Sequence, residues 1–195
     1  MKILILVATP KELGSFDLND KGVKVVFTGI GKLNAYQKTR QALRQEHFDI
    51  ILNVGTCGSE KYPIGTILRP SIIRQGDAFL IHGFDNKAFE VSGDPNVSIL
   101  TGDNFISKVY NSDGILSLPE KARDFDAFDM ESYAIATAAA FMLRNVYFLK
   151  IVSDNLDGSV KDWEVSANAL ANKLAVETEN FIRENFNKSY SISKR

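Results

Sequence analysis

Three carboxylates each follow a short apolar run: Glu12 after residues 3–7, Glu131 after the Phe125-Asp126-Ala127-Phe128 piece, and Asp154 after residues 146–152. In an open α/β sheet the ligand site lies beyond the carboxyl ends of the strands. If the apolar runs are strands, that rule gathers Glu12, residues 29–34, Thr56, Glu131 and the Ser153-Asp154 pair around one cleft. Neighbouring carboxylates in a partly apolar pocket have their pKa values pushed apart, so that one stays protonated as an acid while another is ionised as a base. Such an arrangement suits acid/base cleavage of a bond.

Each of these residues also has a plain structural reading. Glu12 is a solvated loop charge by default, Asp154 suits a cap for the turn before Asp157-Gly158, and Glu131 suits a helix N-terminus through the macrodipole. Met130 and Phe105 are apolar side chains of the kind that fill cores. Cys57, the single cysteine, has neither His47 nor His82 at a spacing that suggests a catalytic partner. The two histidines lack His-x-x-x-His or Cys-x-x-Cys company, so no metal site is indicated. Residues 29–34 lack the final glycine of a dinucleotide fingerprint and the Gly-Lys-Ser/Thr of a P-loop, and no cofactor is expected.

The elements that must position these groups follow from hydrophobic patterning. Residues 3–7 and 23–27 are β-branched and Leu-rich, too short for ordinary helices, and bounded by turn residues, as buried strands are. Asn34 with Gln37 suggests a capped helix over about 35–46. Residues 49–54 form another buried strand, and residues 55–59 read as a small-residue loop that lets backbone amides approach a ligand. Short β-like pieces are expected at 67–73, 78–81 and 97–100. An Ala-rich helix follows at 131–143, then a strand at 146–152, and a long amphipathic helix at 162–186 in which Trp163 is a packing residue, with a place at the border of the ligand pocket as the alternative.

The alternation points to a single-domain three-layer α/β/α sandwich around a mixed, largely parallel sheet. It spans residues 1–187, with a frayed polar tail at 188–195. The chain of 195 residues carries 23 Lys plus Arg against 24 Asp plus Glu, a net charge of −1 that argues against nucleic-acid or acidic-membrane binding. No apolar run approaches the roughly 18 residues of a membrane span, and the lone cysteine suits a cytoplasmic setting.

Five motifs then carry a resemblance: Gly29-Ile30-Gly31-Lys32-Leu33-Asn34-Ala35, Asn53-Val54-Gly55-Thr56-Cys57-Gly58, Thr101-Gly102-Asp103-Asn104-Phe105-Ile106, Phe128-Asp129-Met130-Glu131 and Ser153-Asp154-Asn155-Leu156-Asp157. In this order they resemble the nucleoside phosphorylase/nucleosidase superfamily, and within it the 5′-methylthioadenosine/S-adenosylhomocysteine nucleosidases. The resemblance implies hydrolysis of a purine N-glycosidic bond. It assigns Asp154 as the acid that protonates N7 of the base, and Glu12 as the base that activates water. Glu131 would hold the ribose hydroxyls, Met130 would pack under the sugar, and Phe105 would stack on the purine. The backbone of Ile106 would read the purine edge, Thr56 would lie near the ribose, and Ser153 would orient the acid.

Phosphorylase relatives carry Arg where this chain has Asn53, and a Gly-Asp-Pro loop with Arg where it has Ala8-Thr9-Pro10-Lys11-Glu12, so hydrolysis is favoured over phosphorolysis. A phosphorylase, a futalosine hydrolase and a non-catalytic nucleoside-binding protein stay open as alternatives. The chain is shorter than typical members between Gly76 and Leu100, a region that encloses the 5′ substituent. The resemblance also implies a homodimer, with the helix after Asn34 and the segment around Ile72, Ile73, Phe79 and Phe84 as candidate contacts.

Overall fold

The computed structural model describes residues 1–14, 22–77, 88–110, 116–157 and 163–186. Strands β1 (Ile3–Val7) and β2 (Val23–Phe27) coincide with the first two apolar runs, and β1 is buried along its whole length. Helix α1 (Lys32–Gln45) leads into β3 (Ile50–Gly58). Four strands follow: β4 (Ile67–Leu68), β5 (Pro70–Gln75), β6 (Phe89–Glu90) and β7 (Asp94–Thr101). A small hairpin of β8 (Val109–Tyr110) and β9 (Leu116–Ser117) stands apart from the main sheet. The chain then forms β10 (Ala127–Asp129), helix α2 (Ser132–Phe141), β11 (Val146–Asp154) and helix α3 (Trp163–Phe186).

The main sheet runs β2-β1-β3-β10-β7-β5-β6, and β11 pairs with both β3 and β4. The β1–β2, β1–β3, β3–β11, β5–β7 and β7–β10 pairs are parallel, whereas β3–β10, β4–β11 and β5–β6 are antiparallel. Alternation along β1 divides the core. Leu4 and Leu6 pack with Ala35 and Ala42 of α1 and with Ala134, Ile135 and Ala139 of α2. Ile3, Ile5 and Val7 point the other way, toward Leu174, Ala175, Phe181 and Ile182 of α3. A strand covered on both faces has no polar side, which is why it reads as one apolar run. Each such Leu or Ile contributes about 1.5–3 kcal/mol by burial. The result is the three-layer sandwich with a mixed, largely parallel sheet that the sequence pattern indicates.

Several local expectations are corrected. Helix α1 starts at Lys32 rather than near residue 35, and Asn34 lies inside its first turn, donating from Nδ2 to Ile30 O. Its N-cap is Gly31, whose φ of 90° a side chain would strain. The first free amides are met by acids from distant segments: Gly31 N donates to Glu131 Oε1, and Lys32 N donates to Asp103 Oδ1. Residues 55–58 are not a loop but the second half of β3, paired with Lys150, Ile151, Val152 and Asp154 of β11. Small residues are required there because partners approach closely: a Cβ on Gly58 would sit 2.3 Å from Leu156 Cδ2 and 2.8 Å from Asp154 Oδ1.

The expected strand at 67–73 is split between β4 and β5, and β7 starts at Asp94, earlier than residue 97. Helix α2 starts after Glu131 and ends at Phe141, with Leu143 in the left-handed region at φ 52°. Strand β11 extends through Ser153 and Asp154, and its register shifts between Val152 and Asp154. The short elements β6, β8 and β9 have too little pattern to be read from sequence. The expected strand at 78–81, the candidate contacts Phe79 and Phe84, and the tail at 188–195 lie outside the described residues.

Candidate active site

The carboxyl ends of β1, β3, β10 and β11 open on a cleft of about 560 Å³, its mouth included. All eight residues singled out from the sequence line it: Glu12, Thr56, Phe105, Ile106, Met130, Glu131, Ser153 and Asp154. The wall combines these with Ile30, Asn104, Phe128, Leu156 and Trp163, and among the described residues none that lines it is Lys or Arg.

Glu12 ends the short 3-10 turn Pro10–Glu12 and is not solvated: it is 3% exposed. Its Oε1 accepts from Thr56 N at 2.9 Å and from Thr56 Oγ1 at 2.7 Å, while Oε2 accepts from Thr9 N at 3.1 Å. Proline at the start of this turn supplies a preset φ, and Thr9 and Glu12 form a capping box. The same bonds that shape the turn hold the carboxylate under the end of β1.

Glu131 stands at the N-cap of α2, and its side chain reaches across to α1 instead of capping its own helix. Burial, and then the charge of Asp129, push its carboxyl up to about 8. Glu131 is therefore mostly protonated at neutral pH in the unliganded site. Asp154, at the end of β11, is half-buried; its Oδ1 accepts from Leu156 N at 3.0 Å, and its Oδ2 lies 3.1 Å from Ser153 Oγ. The Ser153 hydroxyl is also within reach of Cys57 O at 3.3 Å. Phe105 is half exposed and Met130 half-buried, both on the cleft wall.

Two residues at the floor of the site escape a reading of the motifs. Lys150, in the middle of β11, is 1% exposed, and its Nζ lies 2.8 Å from Asp129 Oδ2. Asp129 also accepts from Thr101 Oγ1 at 2.7 Å, and from Ser132 N and Oγ. Burial alone would push the Lys150 ammonium down, but Asp129, then Glu131 and Glu12, outweigh it and hold the pKa above the ordinary lysine value. Lys150 is thus a fixed cation among buried carboxylates. The available signal is its position: a lysine inside an otherwise apolar strand must find a buried acid.

Asn53 is also fully engaged, with Nδ2 donating to Leu6 O and Oδ1 3.4 Å from Ser132 Oγ. Cys57 is buried, and burial pushes its thiol well above the ordinary range, the reverse of what a nucleophile needs. Among the described residues no group of His, Cys, Asp and Glu is arranged to hold a metal ion, and no helix is long and apolar enough to cross a membrane.

The fold is shared with solved structures of nucleosidases. Among solved structures it is similar to the 5′-methylthioadenosine/S-adenosylhomocysteine nucleosidase of Colwellia psychrerythraea in complex with adenine, with a TM-score of 0.70 and 21% identity over 89% of this chain and 92% of that one. The nucleosidase of Neisseria meningitidis in complex with methylthio-immucillin-A gives a TM-score of 0.69 and 19% identity over 90% and 97% of the two chains. The futalosine hydrolase of Helicobacter pylori gives 0.71 and 19% over 91% and 98%. No family model matches the chain, and neither does any curated protein sequence.

Proposed function

We propose that this protein hydrolyses the N-glycosidic bond of a purine nucleoside, with 5′-methylthioadenosine or S-adenosylhomocysteine as substrate, and releases the free base. The observation that carries the reading is the meeting of Glu12, Glu131 and Asp154 around a cleft that, among the described residues, is lined by neither Lys nor Arg. Glu12 takes a proton from water as the water oxygen bonds to C1′. The C1′–N9 bond breaks with its electron pair going to the purine, and Asp154 places a proton on N7, so the base leaves neutral. Ser153 orients Asp154 through the contact to Oδ2. Glu131 accepts from the ribose hydroxyls, Met130 packs under the sugar, Phe105 stacks on the base, and the Ile106 backbone reads its edge. Thr56, near the ribose, steadies Glu12.

A cleft walled by carboxylates repels phosphate, and the nearby cations are committed elsewhere: Lys11 to Glu164, Lys32 to Asp77 and Lys150 to Asp129. This supports water over phosphate as the nucleophile. The second reading is hydrolysis of futalosine, favoured by similarity to the futalosine hydrolase at the same level as to the nucleosidases. Either activity suits a cytoplasmic homodimer, and the first would place the protein in methionine salvage. Light scattering should then give about twice the 21.7 kDa chain mass. The deciding assay incubates the protein with 5′-methylthioadenosine, S-adenosylhomocysteine, inosine and futalosine, with and without phosphate. Phosphate-independent release of adenine is the expected result. Release only with phosphate, or tight binding without release, would overturn the reading.

A further inference from the structure

Trp163 is the first residue of α3, borders the cleft, and donates from its indole Nε1 to Thr56 Oγ1 at 3.1 Å. That same oxygen lies 2.7 Å from Glu12 Oε1. An indole nitrogen can only donate, and a threonine hydroxyl has a single proton. With one lone pair of Thr56 Oγ1 taken by Trp163, the hydroxyl proton goes to Glu12. Among the described residues, Glu12 Oε1 then receives two donors, the amide and the hydroxyl of Thr56, whereas Oε2 receives one, the Thr9 amide.

Resting on the reading of Glu12 as the base, we infer that Trp163 is a positioning residue: it locks the Thr56 hydroxyl onto Glu12 Oε1 and leaves Oε2 as the oxygen that takes the proton from water. Successive hydrogen bonds polarise one another, so the indole makes the hydroxyl a better donor and stabilises the ionised carboxylate. A second tie crosses the same joint, because Lys11 of the 3-10 turn pairs with Glu164, the next residue of α3. The start of α3 is thereby fixed to the turn that carries the base. The charged groups that act on Glu12 from other elements are Lys150 of β11 and Glu131 before α2, with Asp129 of β10 behind them and Asp154 across the cleft. None of these is altered by substituting Trp163 or Thr56.

The chain has one tryptophan, so its indole N–H gives a single resonance in a ¹⁵N-labelled sample. In the full-length protein that resonance should shift in Glu12→Gln and in Thr56→Val and stay in place in Thr56→Ser. In turnover, Trp163→Phe should lower kcat about threefold with KM unchanged, the scale of one neutral hydrogen bond, and should add nothing in a Thr56→Val background.

An indole resonance that does not move in Glu12→Gln overturns the proposal. So does a Trp163→Phe variant whose only change is a KM that worsens with the size of the 5′ substituent, which would make Trp163 a wall for substrate. If no nucleoside is cleaved but the indole still follows Glu12, the hydrolase reading fails and the relay stands. Cleavage with kcat unchanged in Trp163→Phe gives the converse.

Discussion

Because burial and then the charge of Asp129 push the Glu131 carboxyl up to about 8, riboside binding should be steeply pH-dependent. A carboxyl that accepts from two ribose hydroxyls must be ionised, so only the ionised fraction is competent and the apparent Kd is the intrinsic value divided by that fraction. With a pKa of about 8, the ionised fraction is roughly 1% at pH 6, 9% at pH 7 and 91% at pH 9. Affinity should therefore rise about ninefold from pH 6 to pH 7, about fivefold from pH 7 to pH 8 and then level off, about ninetyfold in all between pH 6 and pH 9.

The sign is opposite for folding. A carboxyl whose pKa is raised in the folded state favours folding while protonated, so its contribution is intact below the ordinary value of 4.5 and is lost as pH rises through about 8. The assay is calorimetry with a riboside whose base is carbon-linked and cannot be cleaved, in buffers of different ionisation heat, to count the proton released. Free adenine, which does not reach the sugar position, should show no such dependence, and Glu131→Gln should abolish it. A riboside affinity that stays flat from pH 6 to pH 8, or an equal slope for adenine, would refute the assignment of Glu131 to the sugar.

Asp154→Asn should lower base release about 10²–10⁴-fold, with the thermal unfolding midpoint unchanged; activity within tenfold of wild type would remove Asp154 as the acid. Glu12→Gln should lose hydrolysis yet retain adenine binding by calorimetry, and a variant that binds nothing would make Glu12 a structural residue. Lys150→Met leaves Asp129 buried without its cation and should cost about 3–5 kcal/mol in urea unfolding, with part of the loss recovered by adding Asp129→Asn. A loss below about 1 kcal/mol would show that the pair is not closed in solution.

The strand ends were legible because buried strands carry their own record as short, mostly apolar runs, and Glu12, Glu131 and Asp154 all come after such runs. The start of α1 was not, because its caps come from Glu131 and Asp103 rather than from a neighbouring residue. Residues 55–58 have a loop's composition and a strand's geometry, since close packing with β11 and Leu156 demands small side chains there. Lys150 was hidden within an apolar run whose pattern announces only a strand, and its partner Asp129 lies in a motif where Glu131 draws the attention. The link from Trp163 to Glu12 depends on tertiary packing across 107 residues from Trp163 to Thr56, which no local pattern contains.

The caps of α1 also set an order of assembly. The acceptor for Gly31 lies 100 residues downstream and that for Lys32 71 residues downstream. During synthesis, α1 emerges long before either acid, so its first turn is frayed until Glu131 has left the ribosome and α2 has docked. Contacts of such long range slow folding, because the loop must close before the bond rewards it. Amide exchange at Gly31 and Lys32 should consequently be among the last protections gained in refolding, appearing together with protection in α2 and not with the rest of α1. The Glu131 side of the cleft and the helix that borders it thus mature in a single late step, and a nascent chain that stops short of residue 131 lacks Glu131, α2, β11 and α3 and with them a finished cleft.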